Sequence, residues 1–307
     1  MMKHELKITI LLLALFLASQ IVGLAIINQY IDHTATAATG VATFKELPYQ
    51  IERPEIEETS SFSYILIAIL LGTALLLFLI KLKKVIFLRL WFFLVVWICL
   101  SFAFSAFIPQ FIALIIALVI AVWRIYRPNI IIHNAAEIFI YGGLAAIFVP
   151  LMNIFAAFML LLLISIYDMI AVWKSKHMIK LAKFQTKSKI FAGMFLPYKL
   201  KEGLIKPKKA KPAPAKAEKI VNVKHAILGG GDIGFPLLFA GVVMKGLMLE
   251  NSVLIGFLKT LAIPICVTIA LMFLFIKGEK DKFYPAMPFL SIGCLAGYLI
   301  ILGINLL

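Results

Sequence analysis

Apolar residues fall along this chain in runs of about 20, a length that crosses the ~30 Å core of a bilayer as one helix. Short polar or charged breaks separate the runs. Nine runs can be drawn, at 7–29, 62–82, 85–107, 109–126, 131–151, 153–173, 225–246, 251–276 and 285–306. The pattern predicts an all-α polytopic membrane protein of nine transmembrane helices. The first run follows a short basic stretch, as a signal peptide would, but it stays apolar from Ile8 to Ile27 and predicts a retained span.

Composition agrees with the pattern. Of 307 residues, 63% are hydrophobic and 15% charged, and the mean hydropathy is +1.03. These values exclude an ordinary soluble domain. Cys99, Cys266 and Cys294 lie inside apolar runs, with no spacing that implies a disulfide framework or a metal. No cofactor is expected.

The breaks between runs carry the orientation. Lys3 and Lys7 precede the first run; Lys81, Lys83 and Lys84 follow the second, and Arg124 and Arg127 the fourth. The sixth is followed by a Lys-rich segment, and the eighth by Lys277, Lys280 and Lys282, whereas the connection after the first is acidic. The N-terminus is therefore expected in the cytoplasm and the C-terminus outside. Three regions result: six spans over 1–173, a cytoplasmic loop over 174–224 and three spans over 225–307, expected to act as one unit.

The loop holds fifteen lysines less two glutamates, a net +13 that is nearly the whole formal charge of +15. Its "KPKKAKPAPAKAEK" stretch cannot bury a core and is expected to be disordered or semi-extended. Membrane electrostatics assigns the lysines to orientation and anionic lipid rather than nucleic acid. Within the loop, "IFAGMFLPY" (190–198) is an apolar island. It is expected to lie at the membrane interface, the alternative being a cover over the mouth of a site.

Few ionisable groups interrupt the spans. Asp168, Asp232 and Glu137 are the acids and Lys259 the comparable base, and each costs several kcal/mol in hydrocarbon unless it faces water or a partner. Asp168 precedes Lys174 by six residues, about 9 Å of helix, and Asp232 follows Lys224 by eight, about 12 Å. The two acids enter from opposite chain directions and reach a similar depth. Such a pair holds a single proton between them, so one acid can activate a water while the other polarises a carbonyl.

Other readings stand beside this one. Intramembrane acids also serve proton relays, so a proton-coupled transporter or leak channel using Asp168 and Asp232 stays open on the residues alone. His133, Asn134 and Glu137 fit hydrogen-bonded packing or a proton path. Lys259 fits a snorkelling side chain or a wet crevice. Gly229, Gly230 and Gly231 precede Asp232 and Pro236 follows it, which loosens the start of span seven beyond what close packing demands.

Three motifs in order now carry a resemblance. Tyr167–Asp168 in span six, "GGGD" at Gly229–Asp232 in span seven and "PAM" at Pro285–Met287 opening span nine resemble the Tyr-Asp, G-x-G-D and P-A-L motifs of the presenilin and signal peptide peptidase family. The nine spans and the long loop between spans six and seven are similar as well. The resemblance implies a presenilin-like bundle, an intramembrane aspartyl protease, transmembrane-helix proteins as substrates, and Asp168 and Asp232 as the catalytic pair. It further implies that Tyr167, Gly229, Gly230, Gly231, Pro285, Ala286 and Met287 lie against the substrate. Met287 stands where the family has leucine, a volume-conserving exchange. An inside N-terminus resembles presenilin rather than the inverted signal peptide peptidases. The compact length suggests a minimal microbial homologue, acting alone or as a homo-oligomer.

Overall fold

The computed structural model describes residues 6–82, 85–127, 129–174, 191–197, 225–278 and 284–306. The "KPKKAKPAPAKAEK" stretch lies outside these residues. Helices α1 (Leu6–Tyr30), α3 (Ser61–Lys81), α4 (Val85–Ser105), α5 (Gln110–Tyr126), α6 (Ile130–Phe148) and α7 (Ile154–Met169) come from the first six apolar runs. A short α2 (His33–Thr39) lies in the connection after α1, capped by Asp32, whose carboxylate accepts from the Thr34 and Ala35 amides. Strands β1 (Gly193–Pro197) and β2 (His225–Gly229) follow, then α8 (Gly230–Glu250), α9 (Val253–Thr260), α10 (Ala262–Lys277) and α11 (Met287–Leu306). Among the described residues, eight helical segments are long and apolar enough to cross a membrane, and α5, at 17 residues, is a shorter apolar helix. Each expected span thus has an apolar helix, and the chain is an integral multi-pass membrane protein.

Two boundaries depart from expectation for physical reasons. Span seven begins at Gly230 rather than 225, because residues 225–229 pair as a strand with β1. Span eight breaks at Leu261 into α9 and α10. Pro264 lacks the N–H that would bond the Thr260 carbonyl, and its ring crowds that carbonyl. Lys259, at the end of α9, donates to Asn251 at 2.9 Å and Asn305 at 2.6 Å. These bonds tie the α8–α9 turn to the last turn of α11.

Helix α8 is the centre of the bundle. Its apolar window is 78% buried, whereas that of α3 is 6% buried. Around α8 stand α1, α6, α7, α10 and α11. Small residues set the approaches among the surrounding helices, as expected where no hydrophobic effect drives helices together. A Cβ on Gly142 would stand 3.0 Å from the Gly23 Cα, and one on Gly143 would overlap the Cys99 carbonyl. Gly293 and Gly297, one turn apart on α11, face the α10 backbone; a Cβ on either would stand 2.8 Å from the Val267 Cα or 2.6 Å from the Ile263 Cα.

Gly143→Ala is therefore expected to lower stability by about 1–3 kcal/mol, since the methyl meets backbone that cannot turn aside. Gly303→Ala, with nothing within 4 Å, should be neutral or slightly stabilising. Thermal unfolding in detergent checks both, and equal Tm shifts for the two would contradict the close α4–α6 approach.

Candidate active site

One aromatic layer fixes the relative levels of α7, α8 and α11. Phe239 of α8 meets Phe158 of α7 at 5.8 Å and Tyr298 of α11 at 6.1 Å between ring centroids. From that layer Asp168 lies ten residues along α7, about 15 Å. Asp232 lies seven residues along α8, about 10 Å, and Met287 eleven along α11, about 16 Å. Helix α7 packs against α8 and α11, and those two against each other. All three motifs consequently sit on the same side of the layer.

Asp168 occupies the last turn of α7, just before the helix widens into a π turn at Ile170–Lys174. It is half-buried, as is Tyr167 beside it. Its Oδ2 accepts from the Met287 amide at 3.1 Å. That N–H is one of the donors a helix start leaves without an internal partner, and the extended Tyr284–Ala286 segment delivers it there. The Ser165 and Ser291 hydroxyls meet at 2.8 Å one turn away. The two contacts lock α7 and α11 in register, and Pro285 and Met287 are buried against this junction.

Asp232 is the third residue of α8, and its carboxylate leans back over the helix start; a Cβ on Gly229 would stand 3.2 Å from Oδ2. The three glycines do not form one loose turn, as the sequence suggested. Gly229 ends β2 opposite Gly193, while Gly230 begins the helix and donates its N–H to the Ala192 carbonyl at 3.2 Å. Strand therefore becomes helix with no intervening loop. A Cβ on Gly230 would stand 2.7 Å from the Tyr141 hydroxyl, so glycine lets the backbone reach that hydroxyl. Three residues later in α8, Gln20 of α1 donates to the Ile233 carbonyl at 2.8 Å.

The described part of the "IFAGMFLPY" island, residues 191–197, pairs as a strand rather than standing alone as an amphipathic element. Residues Gly193–Pro197 form β1, with Met194 and Leu196 buried and the register running from Gly193↔Gly229 to Pro197↔His225. Gly193 takes a φ of 135°, open in practice to glycine alone. The outer edge of β1 is met by side chains. Asn134 donates to the Phe195 carbonyl at 3.0 Å and accepts from its N–H at 3.2 Å. His133 Nε2 lies 2.7 Å from the Gly193 carbonyl, and Arg124 donates to the Phe191 carbonyl at 3.3 Å.

Behind that edge the network closes on itself. Arg124 pairs with Glu137, and Tyr141 donates to Glu137. Arg124 Nε donates to His133 Nδ1 at 3.3 Å, which leaves the imidazole proton on Nε2 for the Gly193 carbonyl. The guanidinium also lies over the Phe92 ring, 4.9 Å from its centroid. Arg124 is 4% exposed and Glu137 1%. Glu137, His133 and Asn134 are thus hydrogen-bonded, and most of their partners lie outside the trio. The positive-charge pattern led Arg124 to be read as an orientation charge. Its spacing from Glu137, across a short α5–α6 connection, was the available signal for a pair. Gln20, the one amide between Ile8 and Ile27, was the signal for the contact with α8.

The fold and this site define a helical membrane protein that carries two carboxylates and a β-hairpin toward one end of its bundle. A family model described as signal-peptide peptidase, presenilin aspartyl protease matches residues 13–305, and the chain belongs to that family. It is accordingly an intramembrane aspartic endopeptidase. In architecture it is similar to a presenilin family intramembrane aspartate protease solved in two crystal forms. The C222 form has a TM-score of 0.61 at 17% identity, covering 96% of this chain and 99% of that one. The P2 form has a TM-score of 0.57 at 18% identity, covering 95% and 96%. No curated protein sequence matches the chain significantly.

The Gly230 contact makes a sharp test. Gly230→Ala should lower kcat for peptide cleavage about 10–100-fold by moving the start of α8, since displacements near 1 Å have effects of that order. Gly246→Ala adds a methyl with nothing within 4 Å and should leave kcat unchanged. A wild-type rate for Gly230→Ala would show that the backbone does not need to approach Tyr141.

Proposed function

We propose that this protein hydrolyses peptide bonds inside the transmembrane segments of other membrane proteins, with Asp168 and Asp232 as the catalytic pair. The observation that carries this reading is the position of the two acids. Both lie on one side of the Phe158–Phe239–Tyr298 layer. One is bonded to the first amide of α11, and the other follows directly on a hairpin.

The pair holds one proton between its carboxylates. The ionised member takes a proton from water as the water oxygen attacks the scissile carbonyl carbon. The protonated member hydrogen-bonds the carbonyl oxygen and stabilises the tetrahedral intermediate. Proton transfer to the amide nitrogen then breaks the C–N bond, leaving a new carboxylate and a new amine.

A helical substrate hides its carbonyls in its own hydrogen bonds, so the cut segment must first become extended. Strand addition supplies partners for the freed groups. The outer edge of β1 is taken by Arg124, His133 and Asn134, and among the described residues the sheet has two strands. Phe195 turns its backbone groups outward to Asn134, so in an antiparallel ladder its partner Ile227 turns its own to the opposite edge. Ile227 and Gly229 then offer the edge on which a substrate strand lies, with Tyr167, Gly230, Gly231 and Pro285–Met287 beside it.

The N-terminus lies in the cytoplasm and the C-terminus outside, on the strength of the lysine pattern. The 174–224 lysines rest on anionic lipid, and the helices on either side of that loop act as one unit, alone or as a homo-oligomer. In liposomes carrying a single-span substrate, mass spectrometry of the products should show cuts within the span for wild type and none above background for Asp168→Asn or Asp232→Asn. Cleavage that survives either substitution would sink the paired-carboxylate mechanism.

A further inference from the structure

The buried cluster of Arg124, His133, Asn134, Glu137 and Tyr141 has no part in the chemistry above. Five polar side chains from α5 and α6, two of them an ion pair, are buried against β1 and the start of α8, where charge is costly. A buried ion pair is weak support for stability, and its best-attested use is to fix a register. The partners of the cluster are what a register device requires.

We infer that this cluster is a side-chain third strand that sets the bond at which the substrate is cut, with Asn134 and Tyr141 as its positioning residues. The inference rests on the proteolytic reading of Asp168 and Asp232. The cluster bonds the backbone at Phe191, Gly193 and Phe195, every second residue along the edge of β1. Sliding β1 by one residue would offer groups that point to β2 instead. Sliding it by two in one direction would bring Pro197, which has no N–H, to the place where Phe195 donates to Asn134. A slip of two the other way would put Phe191 where the backbone takes a φ of 135°, a conformation for glycine, so one register satisfies the edge.

That register passes along the chain. Gly193 faces Gly229, the Ala192 carbonyl holds the Gly230 amide, and the Tyr141 hydroxyl, anchored on Glu137, packs against Gly230. The position of β1 therefore fixes where β2 ends and where α8 presents Asp232. A substrate strand on the outer edge of β2 inherits the same frame. A two-residue slip would carry its scissile bond about 7 Å along the strand, away from the carboxylates.

The test follows the positions of the product ends, because loss of stability lowers yield without moving the cut. Wild type, Asn134→Ala, Tyr141→Phe and Tyr30→Phe would be reconstituted in phosphatidylcholine liposomes with one single-span substrate peptide. Product ends would be mapped by mass spectrometry and Tm measured alongside. Tyr30→Phe removes a buried hydroxyl that bonds the Phe102 carbonyl at 2.8 Å, away from the hairpin. It should keep the wild-type product distribution. Asn134→Ala and Tyr141→Phe should spread cleavage over neighbouring bonds and reduce the share of the main product about twofold or more, as register loosens. If Asn134→Ala fails to fold, Tyr141→Phe, which keeps the ring, decides alone. Unchanged product proportions in a slower Tyr141→Phe enzyme would overturn the register role and leave the protease standing. A folded wild type that cuts nothing would overturn the proteolytic reading and this inference with it.

Discussion

A peptide N–H or C=O shut away from water needs a partner within the protein. A helix meets this demand by itself; a two-stranded hairpin does not. Among the described residues the hairpin Gly193–Pro197/His225–Gly229 is a two-stranded sheet with two outer edges, and the way the β1 edge is closed shapes much of the molecule. Closing it brings an arginine, a histidine and an asparagine to β1 from α5 and α6. The arginine needs Glu137 as counter-charge, and Glu137 takes a second bond from Tyr141. Tyr141 then fits only because residue 230 has no side chain. Hairpin, buried ion pair and glycine are successive consequences of one constraint.

The large features were legible in the sequence because they are repeated or costly. Runs of about 20 apolar residues announce spans, and acids within them stand out because hydrocarbon penalises charge. Strand pairing is neither repeated nor local. The island at 190–198 and the stretch before Asp232 are separately short apolar runs, and periodicity cannot tell such runs from helix ends or interfacial segments. Their pairing joins residues some thirty positions apart, such as Met194 and Leu228. This is why span seven was drawn five residues too early and the three glycines were given one role instead of two. Arg124 shows a different limit. A basic residue at a span end satisfies the orientation rule whether it faces lipid headgroups or a buried glutamate, and only packing separates the two.

The two acids share a setting that neither motif reveals alone. Asp168 holds the first amide of α11, and Asp232 sits in the first turn of α8. Each carboxylate is at a helix N-terminus, where aligned peptide dipoles favour negative charge by about 0.3–1 kcal/mol, more in partly buried sites. Both helices begin without a polar side chain as cap, α8 from a strand and α11 from the Tyr284–Ala286 segment. Their leading amides are therefore left to other acceptors. Fixed dipoles of this kind can support a charge that moves from one carboxylate to the other in the proposed reaction. In contrast, Glu137 is paired with Arg124 and bonded to Tyr141. Glu137 is thereby held among groups that bond β1, whereas Asp168 and Asp232 are the acids proposed to transfer protons, although all three lie within apolar spans.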